Sequence, residues 1–271
     1  MGSHRERVAD LWDAYLEAWL EGDAALDVWL GSQDRAVARD LKRWQASYAG
    51  RGAGAVDLSC YPDPYTGDLR GSEVESRLVV LGLNPGVAYP SLQGRKGIWA
   101  ERIRRSSYSR CFDRSPPDDP EWDAVHGGQS AYWRNLTSFG ARWCGDDFSW
   151  RQVLNLELYP WHSASLTAGL NCPPDIVERY ILQPLAEVST EHVFAFGSNW
   201  DAVCRLLGFR VLRRYGEGGE PFPGVACPGW KVVLCTAPGL GKEIVVSWQR
   251  GYAGPLGEQR TATLRRIVAS A

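Results

Sequence analysis

No C-x-x-C pair occurs among the seven cysteines of this 271-residue chain, and their number is odd. That spacing argues against structural zinc and against a cysteine-held iron–sulfur cluster, and leaves buried free thiols in a reducing compartment as the simpler reading. No apolar run is long enough to span a bilayer, and the start, "MGSHRERVAD", carries no hydrophobic signal segment. A cytoplasmic location with no membrane partner is therefore expected. The phosphate-loop pattern G-x-x-x-x-G-K-[ST], the dinucleotide pattern G-x-G-x-x-G and the serine elbow G-x-S-x-G are all missing, which weighs against nucleotide hydrolysis, dinucleotide binding and a serine hydrolase. With a formal net charge of -2, a strongly basic footprint is missing too, so any nucleic-acid contact has to come from a local patch.

What is present is ample apolar material, 44% of residues, enough to bury a full core. Thirteen tryptophans stand out; they fill cores and also offer faces on which a base can stack. Apolar residues from Val8 to Tyr48 recur at helical spacing, broken by Gly22 and Gly31, and predict two or three amphipathic helices as an N-terminal extension over residues 1–50. A Gly/Pro-rich connector (51–76) follows, of which "PDPYTGDL" is too particular in composition for a spacer. From 77 to 271 short strands alternate with helices: "SRLVVLGL", "WRQVLNLELYP", "HVFAFG" and "WKVVLCTAP" read as strands. Helical spacing marks "SAYWRNLTSFGARW", "PDIVERYILQPLAEV", "NWDAVCRLLG" and Gln259–Ser270. The alternation predicts an α/β domain with a doubly wound, mostly parallel sheet.

Ligands of such sheets bind beyond the carboxyl ends of the strands. Those ends are "GLNPG", "LELYPWHS", "FGSNW" and "CTAPGLG". In the first, Gly82 and Gly86 permit close backbone approach and Pro85 fixes a bend, leaving Asn84 either to project into the cleft or to bond its own backbone in an Asx turn. In the second, the period of two puts Asn155, Glu157 and Tyr159 on one side of a strand, where polar groups need partners. His162 follows just past its end, as a site residue or a capping histidine. Lys242 in "APGLGKEI" is a solvated or phosphate-binding lysine, or a Schiff-base group.

In this order the pieces resemble the uracil-DNA glycosylase superfamily, nearest its mismatch-specific and single-strand-selective branches. "LGLNPG" is similar to the water-activating motif, "SAYWRNLTSFG" to a helix led by an aromatic pair, "VLNLELYPWHS" to the base-reading strand, and "VVLCTAPGLG" to the strand and loop that penetrate DNA. The resemblance spans roughly Pro62 to Trp248. It implies that Asn84 positions the water attacking the sugar C1′, that Trp99, or else Tyr89, stacks on the flipped base, and that Asn155 reads a pyrimidine. Leu240 stands where the family has its apolar wedge. Ala237 departs from the family, which has His or Asn there to stabilise the leaving base; either His162 or another strand-end group substitutes, or the enzyme is weaker on uracil, or its base is different. Glu157 also departs, and as an acceptor it hints at a cytosine-type or otherwise modified base.

The run "GRKGIWAERIRRSSYSRCFDR" places Arg95, Lys96, Arg102, Arg104, Arg105, Arg110 and Arg114 near this pocket. As a group they are candidate phosphate contacts; singly each reads as a solvated helix face. The reading is thus a monofunctional DNA glycosylase for a damaged, mismatched or modified pyrimidine, monomeric, with no cofactor or metal. A role against phage carrying altered bases extends it. The alternatives are a catalytically idle nucleic-acid-binding module of the same fold and a small-molecule hydrolase using His162 and Glu157.

Overall fold

The computed structural model describes residues 2–71, 76–237, 239–249 and 254–270. Three helices open the chain: α1 His4–Glu21, α2 Asp23–Ser32 and α3 Arg35–Gln45. Ser3 and Glu6 start α1 with a reciprocal capping box. Gly22 ends α1 as expected, whereas Gly31 lies inside α2, and the second break falls instead at Gln33 and Asp34, whose carboxylate caps α3.

Among the described residues nine strands follow these helices: β1 Val56–Asp57, β2 Tyr65–Thr66, β3 Leu78–Gly82, β4 Val153–Glu157, β5 His162–Ser163, β6 His192–Phe196, β7 Arg210–Gly216, β8 Trp230–Thr236 and β9 Glu243–Gln249. Seven form one mixed sheet in the order β2-β4-β3-β6-β9-β8-β7, and β1 pairs with β5. The four central strands β4, β3, β6 and β9 run parallel; β2, β8 and β7 are antiparallel to their neighbours. The fold is therefore α/β about a mixed sheet, with fewer parallel strands than the alternation predicts.

The difference has one cause. "WKVVLCT" is a strand, β8, but only six residues link it to β9, and a parallel pair needs a crossover of about a dozen or more. The fourth parallel place thus goes to β9, "EIVVSWQ", which the sequence reading passed over, as it did β7. Since β8 points the other way, the turn at 239–242 lies at the amino ends of the parallel strands. Glu243 N–H there bonds Glu191 O just before β6, and the Lys242 ammonium reaches Ala186 O at 3.0 Å.

Helices cover both faces. Val79 and Leu81 face one side with α1, α3 and α10 (Ser198–Leu206); Leu78 and Val80 face the other with α7 (Ala131–Cys144) and α11 (Glu258–Ala269). The N-terminal helices are no loose appendage. Trp12, Trp44 and Trp161 meet edge to face beneath the sheet, and Trp44 Nε1 donates to Leu158 O at 2.8 Å. The segment Pro174–Ala186 is helical with a π turn at Glu178–Leu182, where Pro184 cannot donate to the ladder.

Among the described residues no helix is long and apolar enough to cross a membrane. All seven cysteines are free.

Four arginines of the run, Arg95, Arg102, Arg104 and Arg114, bond to other parts of the chain. Arg95 bonds Trp19 O and Asp23, and Arg104 reaches Leu20 O, so α5 (Ile98–Ser106) is fastened to the end of α1. Arg102 pairs with buried Asp119 and also bonds Asp113 O. Arg114 is itself buried, its guanidinium 3.8 Å from the Tyr108 ring centre and bonded to the carbonyls of Tyr65 and Cys111. Burial alone would lower its pKa, but the Tyr108 and Asp63 beside it raise it, so the charge stays. Removing a buried cation leaves its partners uncompensated, and Arg114→Met is expected to cost about 3–5 kcal/mol in urea unfolding.

Candidate functional site

The carboxyl ends of β3, β4, β6 and β9 surround a cavity of about 540 Å³. Gly82–Val87 supplies one wall, Asn155 and Glu157 a second, Gly197–Asn199 a third, and Trp248 with Gln249 a fourth. Trp99, Trp122, Tyr132 and Trp133 add aromatic surface.

The loop carrying Asn84 is fastened carbonyl by carbonyl. Gly82 O accepts from Leu158 N–H at 3.1 Å and from Trp200 Nε1 at 2.9 Å; Leu83 O accepts from Tyr159 N–H at 2.9 Å; Gly86 O accepts from Ser163 N–H at 3.0 Å. Gly86 has φ +80, a left-handed turn that a side chain would strain. On this frame Asn84 Nδ2 donates to Ser163 O at 3.0 Å. The bond fixes which end of the amide is which, since only the nitrogen can face a carbonyl. It also answers the Asx alternative: Asn84 is held by the Ser163 segment and not by its own backbone, its Oδ1 is left to accept, and the residue lines the cavity.

At the end of the adjacent strand, Asn155 and Glu157 form a buried pair. Asn155 Nδ2 donates to Glu157 Oε1 at 2.6 Å, and Asn155 Oδ1 accepts from the Tyr132 hydroxyl at 3.2 Å. Glu157 Oε2 is buried with no hydrogen-bond partner among the described residues. Gly82 stands in register with Glu157 across the parallel pair, and a Cβ there would collide with the carboxylate. That close approach is the reason for this glycine. Burial pushes the Glu157 carboxyl up to about 8, the Asn155 N–H opposing it and the Asp63 charge adding to it. At neutral pH the group is then mostly protonated. Because Oε1 already accepts, the proton sits on Oε2.

His162 lies behind this wall and not on it. The ring is buried, and Gln93 Nε2, which does line the cavity, donates to His162 Nε2 at 3.2 Å. Gln93 Oε1 accepts from Tyr89 N–H at 2.9 Å, which orients the amide and places the imidazole proton on Nδ1, toward Gly86 O at 3.3 Å. Burial lowers the His162 pKa despite nearby Asp63 and Gly86 O. His162 is a neutral brace for the Asn84 loop, out of reach of a ligand. This corrects its placement among the reacting groups.

Other expected site residues divide. Pro85 and Trp99 reach the cavity; one face of Trp99 stacks on Trp122 at 5.7 Å, and its Nε1 bonds Asp119. Tyr89 packs edge-on against Trp122 at 5.0 Å, as support for that stack and outside the cavity wall. Tyr159 lies beyond the end of β4 and turns to the helical side, where it bonds Gln45 O at 2.8 Å. Leu240 is buried and Lys242 is on the same turn, both at the opposite end of the sheet from Asn84, so neither meets a ligand in this cavity. Ala237 shares that location, so a donor at this position would not reach a ligand in the cavity. Of the cations expected to bind DNA, Arg102 and Arg104 are engaged internally, while Arg105 is exposed beside Glu101 at 3.6 Å.

Sequence reasoning missed Asp63, Gln93, Trp248 and Gln249 as wall residues. Asp63 had a signal in "PDPYTGDL": β2 pairs antiparallel with β4, bringing that segment to the cavity, and the Asp63 carboxylate is bonded to the Tyr108 hydroxyl. Trp248 and Gln249 end the overlooked β9. The described lining contains no Lys or Arg, and no group of three or more His, Cys, Asp and Glu among the described residues could hold a metal ion. Compared with family models, curated proteins and solved structures, the chain finds no match in any of the three.

Proposed function

We propose that the protein is a DNA glycosylase of uracil-DNA glycosylase-like architecture that excises a modified pyrimidine, a modified cytosine fitting best. The observation that carries the reading is the Asn84 amide: its nitrogen is tied to Ser163 O, which leaves its oxygen to accept, and it lines the same cavity as the Asn155–Glu157 pair. Asn84 Oδ1 accepts one hydrogen of a water placed for attack at C1′. The new C1′–O bond forms as the glycosidic C–N bond breaks, its electron pair leaves with the base, and the water's proton passes to solvent or to the Asp63 carboxylate, which also lines the cavity. The transition state is largely an oxocarbenium ion, so stabilising the leaving base matters more than a strong nucleophile.

The neutral Glu157 carboxyl supplies that stabilisation. Its Oε2–H donates while Oε1 accepts, which matches the ring nitrogen and exocyclic amine along a cytosine edge. It takes the place of the donor that Ala237 lacks. A volume of about 540 Å³ is in the range of about 300–1,000 Å³ that holds a drug-sized ligand, and exceeds what a bare pyrimidine needs. A substituent on the base is thereby accommodated, in keeping with a role against phage DNA with altered bases.

The test is release of free base from oligonucleotides carrying cytosine, uracil or a substituted cytosine. Faster release of the substituted base supports the reading, and equal or better release of uracil overturns its specificity. With few free cations near the cleft, affinity should fall only gently with salt, with a log–log slope equivalent to about three phosphates or fewer. The cation-free lining favours, as a second reading, hydrolysis of free nucleosides. Nucleosides turned over as well as oligonucleotides would select it.

A further inference from the structure

Beside the cleft lie two smaller cavities, of about 270 and 260 Å³, which share Phe112, Trp150 and Arg151. The track they form adjoins the main cavity. Thr66 lines both the cleft and the second of these cavities; Ser115 lines the first while its neighbour Pro116 lines the cleft; and Trp133 of the cleft wall meets Trp150 edge-on at 6.3 Å.

Its surfaces suit a flat, π-faced group. Phe112 is 40% exposed and lines both small cavities. Trp150 is half-buried with the Arg151 guanidinium 4.8 Å from its ring centre. Ser115 is buried, yet its Oγ has no hydrogen-bond partner among the described residues. Charges along the track nearly cancel, Arg102 being paired with Asp119 and Arg151 with Asp118 at 3.3 Å. An anion is thus not favoured, whereas a neutral ring that stacks and takes one hydrogen bond is.

We infer that Phe112 and Trp150 form a stacking subsite for an unpaired nucleobase next to the one in the cleft, with Ser115 Oγ bonding its edge. The inference rests on the glycosylase reading and deepens it: the substrate is a single-stranded or locally unpaired segment, held at two successive bases. Base–aromatic stacking tolerates any sequence because every base has a π face.

The experiment is fluorescence anisotropy of a labelled single-stranded oligonucleotide with wild type, Phe112→Ala, Trp150→Ala and Phe112→Tyr. Binding of the matching mononucleoside to the cleft is measured alongside by calorimetry. The alanine variants should weaken oligonucleotide binding by about 10-fold or more each, with mononucleoside affinity unchanged and Phe112→Tyr close to wild type. Since Trp150 touches Trp133, the exposed Phe112 is the variant that guards against a folding defect. Oligonucleotide affinity unaltered in both alanine variants, or lost equally for the mononucleoside, overturns the subsite. Wild type that binds the mononucleoside but no oligonucleotide overturns the subsite and the DNA reading together, and so tells the two failures apart.

Discussion

Asn84→Ala is expected to lower base release by about 10²–10⁴-fold, the range that a positioned polar group contributes to such a step. Affinity for substrate DNA should stay within a few-fold of wild type. The lost bond, Nδ2 to Ser163 O, lies at a half-buried position and is worth about 1 kcal/mol of stability, so the folded protein persists. Asn84→Asp separates geometry from mere acceptor capacity. A carboxylate has no N–H for Ser163 O, the side chain loses its anchor, and activity should fall far below wild type although an acceptor remains. Single-turnover assays with saturating enzyme check both. An idle binding module would show no base release for wild type and unchanged affinity for both variants.

The second large effect is on stability and belongs to Glu157. Its folded pKa, about 8, lies above the ordinary carboxyl value of 4.5. Between those two values the folded state holds a proton that the unfolded chain has lost, so stability falls as pH rises through this window and levels off above 8. The slope is about 1.4 kcal/mol per pH unit. Glu157→Gln keeps a donor and an acceptor in the same place without a charge to bury. The variant should therefore match wild type near pH 4.5 and exceed it progressively, by roughly 3–5 kcal/mol at pH 8. Urea unfolding at several pH values measures the difference. In activity, wild type should decline above pH 8 as Oε2 loses its proton, while the glutamine variant shows no such limb. A stability gap independent of pH would contradict the buried neutral carboxyl.

Much of this site was legible before any coordinates. Leu78–Gly82 is an apolar run ended by Asn, Pro and Gly, and that clash of burial with polarity located Asn84 at the cleft. Asn155 and Glu157 interrupt β4 in the same way, and both face the cavity. The opening aromatic pair of α7, Tyr132 and Trp133, also lines it.

What was illegible depended on strand direction and on partners. "VVLCTAPGLG" and "EIVVSWQ" are equally good strands, and only the short turn between them decides that the second ends at the cleft. Leu240 and Lys242 were misplaced for that reason, and Trp248 and Gln249 missed. The arginine run shows the other limit. Charge is visible in a sequence, but the carbonyls of Trp19, Leu20 and Tyr65 that absorb it come from distant parts of the chain. The bracing role of His162 is illegible for the same reason, because its partner Gln93 is 69 residues away.

The most direct test of the central claim is mass spectrometry of the bases freed from cellular DNA and from phage DNAs with unmodified and modified cytosines, after incubation with wild type or Asn84→Ala. The account predicts a free modified pyrimidine from the modified DNA with wild type and almost none with the variant. No released base from any DNA, or the same release from both proteins, would contradict it.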